Sequence, residues 1–456
     1  MVMLIRFSVE NYMSFKEQQI FSMAAGKGSR HPSHIVSMNG NRLLKSSFIF
    51  GANAAGKSNF VRAIDFMRHI VISGDSRMGR NRDRYFRIDS SCSKRPGVFQ
   101  IELATNSGLY SYGFSIDYRN KEFQAEWLYD ITGEKEICFF ERDIEKHETR
   151  TDLEIPKKSK DEMRYEVYKT DISANRLLLS EIAKKDIDED SVFRPLKVVY
   201  NWFLKIVVIY PYSHARDINN FFVNDSGDTT SLAQMLSGFD TGIESISSQK
   251  KTLEEALSFM AKEEIEQVTS IIEDEIQKHE EVRTSMNEGA KKSISIDNRR
   301  FVLSMENGEL MAEELMMNHG NQQDLFDLFD ESDGTQRLFD LIPAYEVVKD
   351  GRVVLIDEVD RSFHSKLTEE FVRRYFELTD GSACQMICTT HDLNLLTLNL
   401  LRKDEIWFAE RDDEHSTRLY SLSEFKTRNN KNILNDYVQG RYGAIPCISE
   451  IDSEEV

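Results

Sequence analysis

Eight residues, Gly51-Ala52-Asn53-Ala54-Ala55-Gly56-Lys57-Ser58, constrain this chain more than any other stretch. They have the spacing G-x-x-x-x-G-K-[ST]. The glycines let the backbone turn so that successive N–H groups face one anion. The Lys57 ammonium can reach the outer phosphates of a nucleotide, and the Ser58 hydroxyl can ligate Mg²⁺. The flanks agree. Ser47-Phe48-Ile49-Phe50 reads as a buried strand, and Phe60, Ile64, Met67 and Val71 recur at helical spacing, so the phosphate would sit at a helix N-terminus. The candidate nucleotide-binding residues are Gly51, Asn53, Ala54, Ala55, Gly56, Lys57, Ser58 and the adjoining Asn59. A strand, such a loop and a helix in that order predict an α/β fold around a parallel sheet.

Far downstream, Arg352-Val353-Val354-Leu355-Ile356-Asp357-Glu358 reads as a central parallel strand whose tip carries two carboxylates. Asp357 is the candidate metal-shell residue alongside Ser58. Glu358 is the candidate catalytic residue that orients or deprotonates an attacking water. Val359-Asp360 follows directly. A second apolar strand, Met386-Ile387-Cys388-Thr389-Thr390, ends in His391, which can hydrogen-bond a γ-phosphate. Upstream, Glu331-Ser332-Asp333-Gly334-Thr335-Gln336-Arg337 is a polar turn opening a helix, and free N–H groups at such a start attract anions.

The order phosphate loop, Ser-x-Gly-Thr, Asp-Glu, His resembles the ABC-type ATPase fold in its SMC-like and OLD-like branches. Glu331 to Arg337 is similar to the ESxGTxR form of the signature motif, Asp360 to the D-loop, and His391 to the switch histidine. Three further segments resemble the bacterial ATPases grouped as AAA_15/AAA_21, which include RloA, AbiLi and the AriA subunit of PARIS: Ile5-Arg6-Phe7 through Asn11-Tyr12-Met13-Ser14-Phe15; Asn175-Arg176-Leu177-Leu178-Leu179-Ser180; and Gly440-Arg441-Tyr442-Gly443-Ala444-Ile445-Pro446. The resemblance implies an ABC-ATPase-type P-loop core with an antiparallel β-lobe and a helical insertion. It implies ATP and Mg²⁺ as cofactors. It implies a homodimer or higher homo-oligomer, in which Ser332, Asp333, Gly334 and Thr335 of one copy cover the nucleotide of another.

The same resemblance implies a regulator in an anti-phage, abortive-infection system. Such a subunit would respond to DNA or a phage protein and control a separate effector encoded nearby. The alternative is an SMC-like ATPase of DNA repair or chromosomes. A transporter subunit fits less well, because the signature has another form. An OLD-type nuclease would need a TOPRIM domain after His391, where no second carboxylate cluster occurs, so no nuclease activity is expected of this chain alone. No counterpart of the transporter Q-loop glutamine stands out: Gln100 sits at a plausible distance but in a strand pattern. The adenine contact is unassigned among Phe7, Tyr12 and Phe15, for each of which core packing is the simpler role.

Composition bounds the rest. With 456 residues, 40% hydrophobic, the chain can bury a large core as two or three lobes. No apolar run is long enough to span a membrane and no signal-peptide pattern opens the sequence, so a cytoplasmic location is expected. The five cysteines show no metal-like pairing. A net charge of −19 argues against a surface that binds nucleic acid throughout. One basic stretch remains, Arg77, Arg80, Arg82, Arg84 and Arg87, with Lys94 and Arg95 behind it. It is either a solvated loop or a contact for nucleic acid or an acidic partner.

Along the chain, residues 1–205 form the expected N-terminal ATPase lobe, with two short strands before residue 23, a loop over 29–41, and a β-lobe over about 98–168. There Phe99-Ile101-Leu103, Tyr110-Tyr112-Phe114-Ile116 and Trp127-Tyr129-Ile131 alternate as half-buried strands. Lys157 to Glu162 reads as a charged, mobile stretch. Residues 206–300 form the helical insertion: Leu253, Leu257, Met260, Ile265, Val268, Ile272 and Ile276 recur at three and four, predicting one helix of ~40 residues and about 60 Å over 244–283. It is either an arm that docks a partner or a helix lying on its own core. Residues 301–456 return to the ATPase, ending in an acidic tail.

Overall fold

The computed structural model describes every residue except 78–83, 212–228, 279–290, 297–298, 307, 350, 427–431 and 447–456. The chain divides into two compact units: Met1–Val208 with Val348–Asp360 and Phe371–Val456, and Ile209–Val347 with Arg361–Glu370.

The first unit opens with β1 (Val2–Glu10), β2 (Gln19–Ser22), the hairpin β3 (Ile35–Met38) and β4 (Asn41–Leu44), then β5 (Ser46–Phe50) and α1 (Lys57–Ser73). The lobe strands follow: β6 (Gly97–Thr105), β7 (Leu109–Asp117), β8 (Glu122–Asp130), β9 (Ile137–Asp143) and β10 (Glu148–Arg150). After them come α2 (Lys160–Asp171), α3 (Leu178–Ala183), α4 (Arg194–Leu204) and β11 (Ile206–Ile209). The second unit holds α5 (Thr229–Ser237), β12 (Ser245–Thr252), α6 (Leu253–Ala256), α7 (Lys262–Lys278), β13 (Lys292–Ile296), β14 (Arg299–Glu306), β15 (Glu309–Asn318), β16 (Phe326–Asp327) and α8 (Asp333–Leu341). The chain then runs through α9 (Pro343–Lys349), β17 (Val353–Ile356), α10 (Ser365–Leu378), β18 (Gln385–Thr389), β19 (Ile406–Arg411), β20 (Thr417–Ser421) and α11 (Ile433–Val438).

The core sheet has the order β11-β17-β18-β5-β19-β20. β17, β18, β5 and β19 are parallel, with Leu355 opposite Ile387 and Thr389 opposite Ile49. β5, β17 and β18 are buried along their whole length, which is why they read as unbroken apolar runs rather than alternating ones. Parallel register brings the C-terminal tips of β5, β17 and β18 to one edge, where open α/β sheets bind ligands.

The β-lobe is a seven-stranded antiparallel sheet, β10-β9-β8-β7-β6-β1-β2. In β8 the buried side chains are Phe123, Glu126 and Leu128, not the expected face of Trp127 and Tyr129. A bulge opposite Ser115–Ile116 shifts the register and so changes the parity of the strand. Glu126 is fully buried because it caps a helix. It accepts N–H bonds from Leu178 and Leu179 at the start of α3 and a hydroxyl bond from Tyr112. Burial pushes its carboxyl up to about 7. The Asn175–Ser180 segment is therefore structural: it joins the lobe to the end of α1, with Asn175 donating to Asp75 and Ser180 to the Val71 carbonyl.

Three local expectations give way. The loop expected over 29–41 contains the β3–β4 hairpin, turned at Asn39 (φ 49°) and Gly40 (φ 78°), both left-handed as a tight two-residue turn requires. The stretch expected to be mobile at 157–162 runs into α2, whose N-terminus is capped by Ser159. The single long helix over 244–283 is absent from the described residues. Ser245–Thr252 instead pairs antiparallel with β15. Thr252 and Glu255 then form a capping box that starts α6, and α7 has 17 residues, about 25 Å. The periodicity from Leu253 to Ile276 is real, but it lays α6 and α7 over their own sheet, against Phe301, Leu303 and Ala312. The fold class stands, with an insertion that carries a sheet (β12-β15-β14-β13) beneath its helices.

Candidate functional site

At the edge of the core sheet, Phe50 leads into the phosphate loop and Gly56 precedes α1. Gly51 has φ 151° and a Cβ there would meet the Ala409 carbonyl at 2.2 Å; Gly56 has φ 102° and a Cβ would meet Thr417 Oγ1 at 2.0 Å. Only glycine fits either place. No side chain caps α1, so its first N–H groups remain for an anion. Lys57 is buried and its ammonium donates to the Gly51 and Ala52 carbonyls at 2.8 and 3.0 Å, folded back across the loop where a phosphate would draw it out. Asn53 and Ala54 are exposed at the loop tip.

The tips of β17 and β18 supply the rest of this face. The Ser58 hydroxyl donates to Asp357 Oδ1 at 3.0 Å, so the two candidate Mg²⁺ ligands already meet. Two hard oxygens beside a phosphate cradle are the kind of set Mg²⁺ takes, and the residues fit the ion. Glu358 adopts φ 52°, a strained conformation for a non-glycine residue of the kind that concentrates at functional sites. Asp360 accepts the His391 backbone N–H through both carboxylate oxygens, at 3.1 and 3.2 Å. His391 Nδ1 lies 3.5 Å from the Lys57 ammonium. The structure thus brings Lys57, Ser58, Asp357, Asp360 and His391 together within one unit, with Glu358 next to Asp357 in the chain.

Burial shifts both basic groups down. The Lys57 ammonium falls to about 8, burial outweighing the pull of Asp357, Glu358 and Asp360. Burial, and then the Lys57 charge, holds the His391 imidazole below its usual range. A neutral His391 can accept a proton or donate one from its other nitrogen. If Lys57 holds a nucleotide's phosphate, its falling charge above pH 8 is expected to lower ATP affinity about tenfold from pH 7.5 to pH 9. Titration with a fluorescent ATP analogue at the two pH values checks this. A Lys57→Arg variant, whose charge persists, should lose much less.

Residues that sequence reasoning left without a role hold the loop from behind. Ser14 accepts from Asn59 Nδ2 and from the Thr417 hydroxyl, at 2.8 Å each, and Thr417 Oγ1 also lies 2.9 Å from the Ala55 carbonyl. The Ala52 N–H donates to the Ala444 carbonyl, and the Ala444 N–H donates to Glu410. The Asn11–Phe15 and Gly440–Pro446 segments therefore shape the phosphate loop. Phe7, Tyr12 and Phe15 are buried in the core, and Gln100 lies in β6, donating to Ser111 across the lobe sheet. Of the basic stretch, Arg77 is tied to Asp75, Arg84 donates to Tyr12, and Arg95 bridges Glu10 and Glu17; Arg80 and Arg82 lie outside the described residues.

In the second unit, Ser332 is the N-cap of α8, its hydroxyl accepting the Thr335 N–H and lying 2.9 Å from Thr335 Oγ1. Ser332 and Asp333 are exposed and Gly334 half-exposed. The helix is anchored within its unit by the Arg300–Asp340 ion pair at 2.8 Å and by Arg337, which donates to the Tyr210 carbonyl.

A P-loop core sheet with an acid-tipped strand one strand away from the loop defines a nucleotide-binding α/β protein. The family model described as "AAA domain, putative AbiEii toxin, Type IV TA system" (AAA_21) matches residues 46–397, and this chain belongs to that family. Among solved structures, the SMC head domain from Thermotoga maritima is similar at 11% identity and a TM-score of 0.39, covering 92% of this chain and 98% of that one. An SMC head domain bound to the C-terminal domain of ScpA from Pyrococcus furiosus gives 13% identity and 0.38, over 92% and 96%. At these scores the likeness carries no argument, and the fold rests on the strand order and loop described above. No curated protein matches the chain. Among the described residues, no helix is long and apolar enough to cross a membrane.

Proposed function

We propose that this protein binds and hydrolyses ATP with Mg²⁺ and uses the nucleotide as a conformational switch between copies of itself. The observation that carries the proposal is the convergence of Lys57, Ser58, Asp357 and His391 at one sheet edge, beside an uncapped helix N-terminus. Bound Mg²⁺, held by Ser58 and Asp357, would neutralise charge on the phosphates. Lys57 would bind the outer phosphates, Glu358 would orient and accept a proton from water, and His391 would hydrogen-bond the γ-phosphate. Asp360 fixes the backbone of His391 and so sets where its ring begins.

The signature turn, Ser332 to Thr335, is assigned to a neighbouring copy's nucleotide, giving a head-to-tail dimer or larger ring. The exposure of Ser332 and Asp333 at the start of α8 supports this, although Thr335 is buried, since a wholly buried turn could not be shared. Ser332→Arg is expected to leave ATP affinity within about twofold and lower turnover about a hundredfold, the usual cost of losing a transition-state donor. Steady-state hydrolysis alongside equilibrium binding measures both. Equal loss of both would remove the turn from this role.

The broader setting we infer is phage defence, with this chain as the regulator of a separately encoded effector, triggered by DNA or a phage protein. The family, whose model is described as a putative AbiEii toxin of a type IV TA system, supports it, as do the segments similar to RloA, AbiLi and AriA. An SMC-like repair role is the second reading. A neighbouring reading frame encoding a TOPRIM, HNH or reverse-transcriptase protein, with protection lost in the Lys57→Ala strain, would distinguish defence from repair.

A further inference from the structure

We propose that Thr389 is a positioning residue for ATP hydrolysis, setting the metal-ligating and water-activating carboxylates in one geometry through its hydroxyl. The inference rests on the assignment of Asp357 and Glu358 to hydrolysis. Thr389 is the last residue of β18, fully buried between β5 and β17. A threonine there has an ordinary explanation, since β-branched residues suit strands. A hydroxyl buried in the central strand of an apolar sheet must still find partners, and the partners it finds are functional groups.

Thr389 Oγ1 donates to Asp357 Oδ1 at 2.6 Å and accepts the Glu358 backbone N–H at 2.8 Å. One hydroxyl proton and one lone pair fix these roles without ambiguity: the carboxylate can only accept and the amide can only donate. Asp357 Oδ1 also accepts from Ser58. A single chain of hydrogen bonds therefore runs from the phosphate-loop helix through the metal ligand to the backbone of the catalytic glutamate. The Thr389 carbonyl adds a third tie, accepting the Val359 N–H at 3.0 Å. Together these bonds clamp the turn on both sides of Glu358, whose left-handed φ of 52° needs outside support. The hydroxyl is wholly buried and engaged on both sides by Asp357 and the Glu358 N–H, so it acts through these neighbours.

Thr389→Val keeps the shape and removes both hydroxyl bonds. It is expected to lower kcat about thirtyfold with the KM for ATP within about threefold, and to raise the Mg²⁺ concentration needed for half-maximal rate severalfold, because Asp357 loses a fixing donor. Thr389→Ser, which keeps the hydroxyl, should return kcat to within about threefold of the parent. Thr389→Ala carries the same test if valine distorts the strand. A valine variant with parental kcat, or serine and valine variants that fall together, would overturn the proposal, the latter showing that only the methyl group's packing matters. Glu358→Gln in the same assay separates the two levels. If it too hydrolyses at the parental rate, the assignment of the site is at fault; if it is inactive while Thr389→Val is normal, the positioning role alone fails.

Discussion

Lys57→Ala is expected to weaken ATP binding about a hundredfold and to lower kcat/KM about a thousandfold, roughly 3 and 4 kcal/mol. Among the described residues, the ammonium is the one cation seated inside the phosphate loop, where it is buried and held by the Gly51 and Ala52 carbonyls. A charged donor in such a place is worth about twice a neutral one. It acts on the ground state and about tenfold more on the transition state, because charge gathers on the outer phosphate oxygens as the bond breaks. The fold should survive, since Lys57 contributes no packing that alanine cannot begin. Calorimetric binding of ATP, with circular dichroism as the control for folding, reads the result. Lys57→Arg restores charge but not the compact point donor, and should recover binding more than turnover.

Glu358→Gln is expected to bind ATP as the parent does and to hydrolyse it about a thousandfold more slowly. The substitution preserves shape and the backbone N–H bond to Thr389. It removes only the ability to take a proton from water. If ATP closes the assembly and hydrolysis opens it, the variant should accumulate as a closed dimer or ring in Mg²⁺–ATP. Mass measurement with and without ATP tests this: the parent shifts transiently, the variant durably. Hydrolysis at the parental rate would remove Glu358 from the role.

The parts of the site legible in the sequence are those whose chemistry is local. The phosphate loop needs its glycines, Lys57 and Ser58 within eight residues, and the Asp357–Glu358 pair needs an apolar strand before it. Their spacing fixes their shape whatever surrounds them. Thr389, Thr417 and Glu410 were not legible because their roles are contacts across the fold: Thr417 is 362 residues from Ala55, whose carbonyl it meets. A polar residue closing β18, two positions before His391, was the available signal for Thr389.

The insertion shows the converse. The helical period from Leu253 to Ile276 is present in α6 and α7, yet the preceding Ser-Ile-Ser-Ser-Gln-Lys-Lys-Thr pairs with β15. Nothing within those eight residues announces a strand, because its pairing partner lies some sixty residues away. The Asn39-Gly40 turn, by contrast, is a hairpin signal of the strongest local kind, although the strands beside it are only four residues each. In β8 a bulge reversed the faces, an event that no periodicity reveals.

Mixing Lys57→Ala protein with Ser332→Arg protein tests most directly whether two copies complete one site. In a head-to-tail pair, the mixed dimer holds one site in which both defects fall together and one with neither. Equal amounts of two nearly inactive proteins should then yield about a quarter of the parental ATPase activity. Mixed dimers that form, as shown by mass, yet hydrolyse no faster than the separate variants would contradict a shared site.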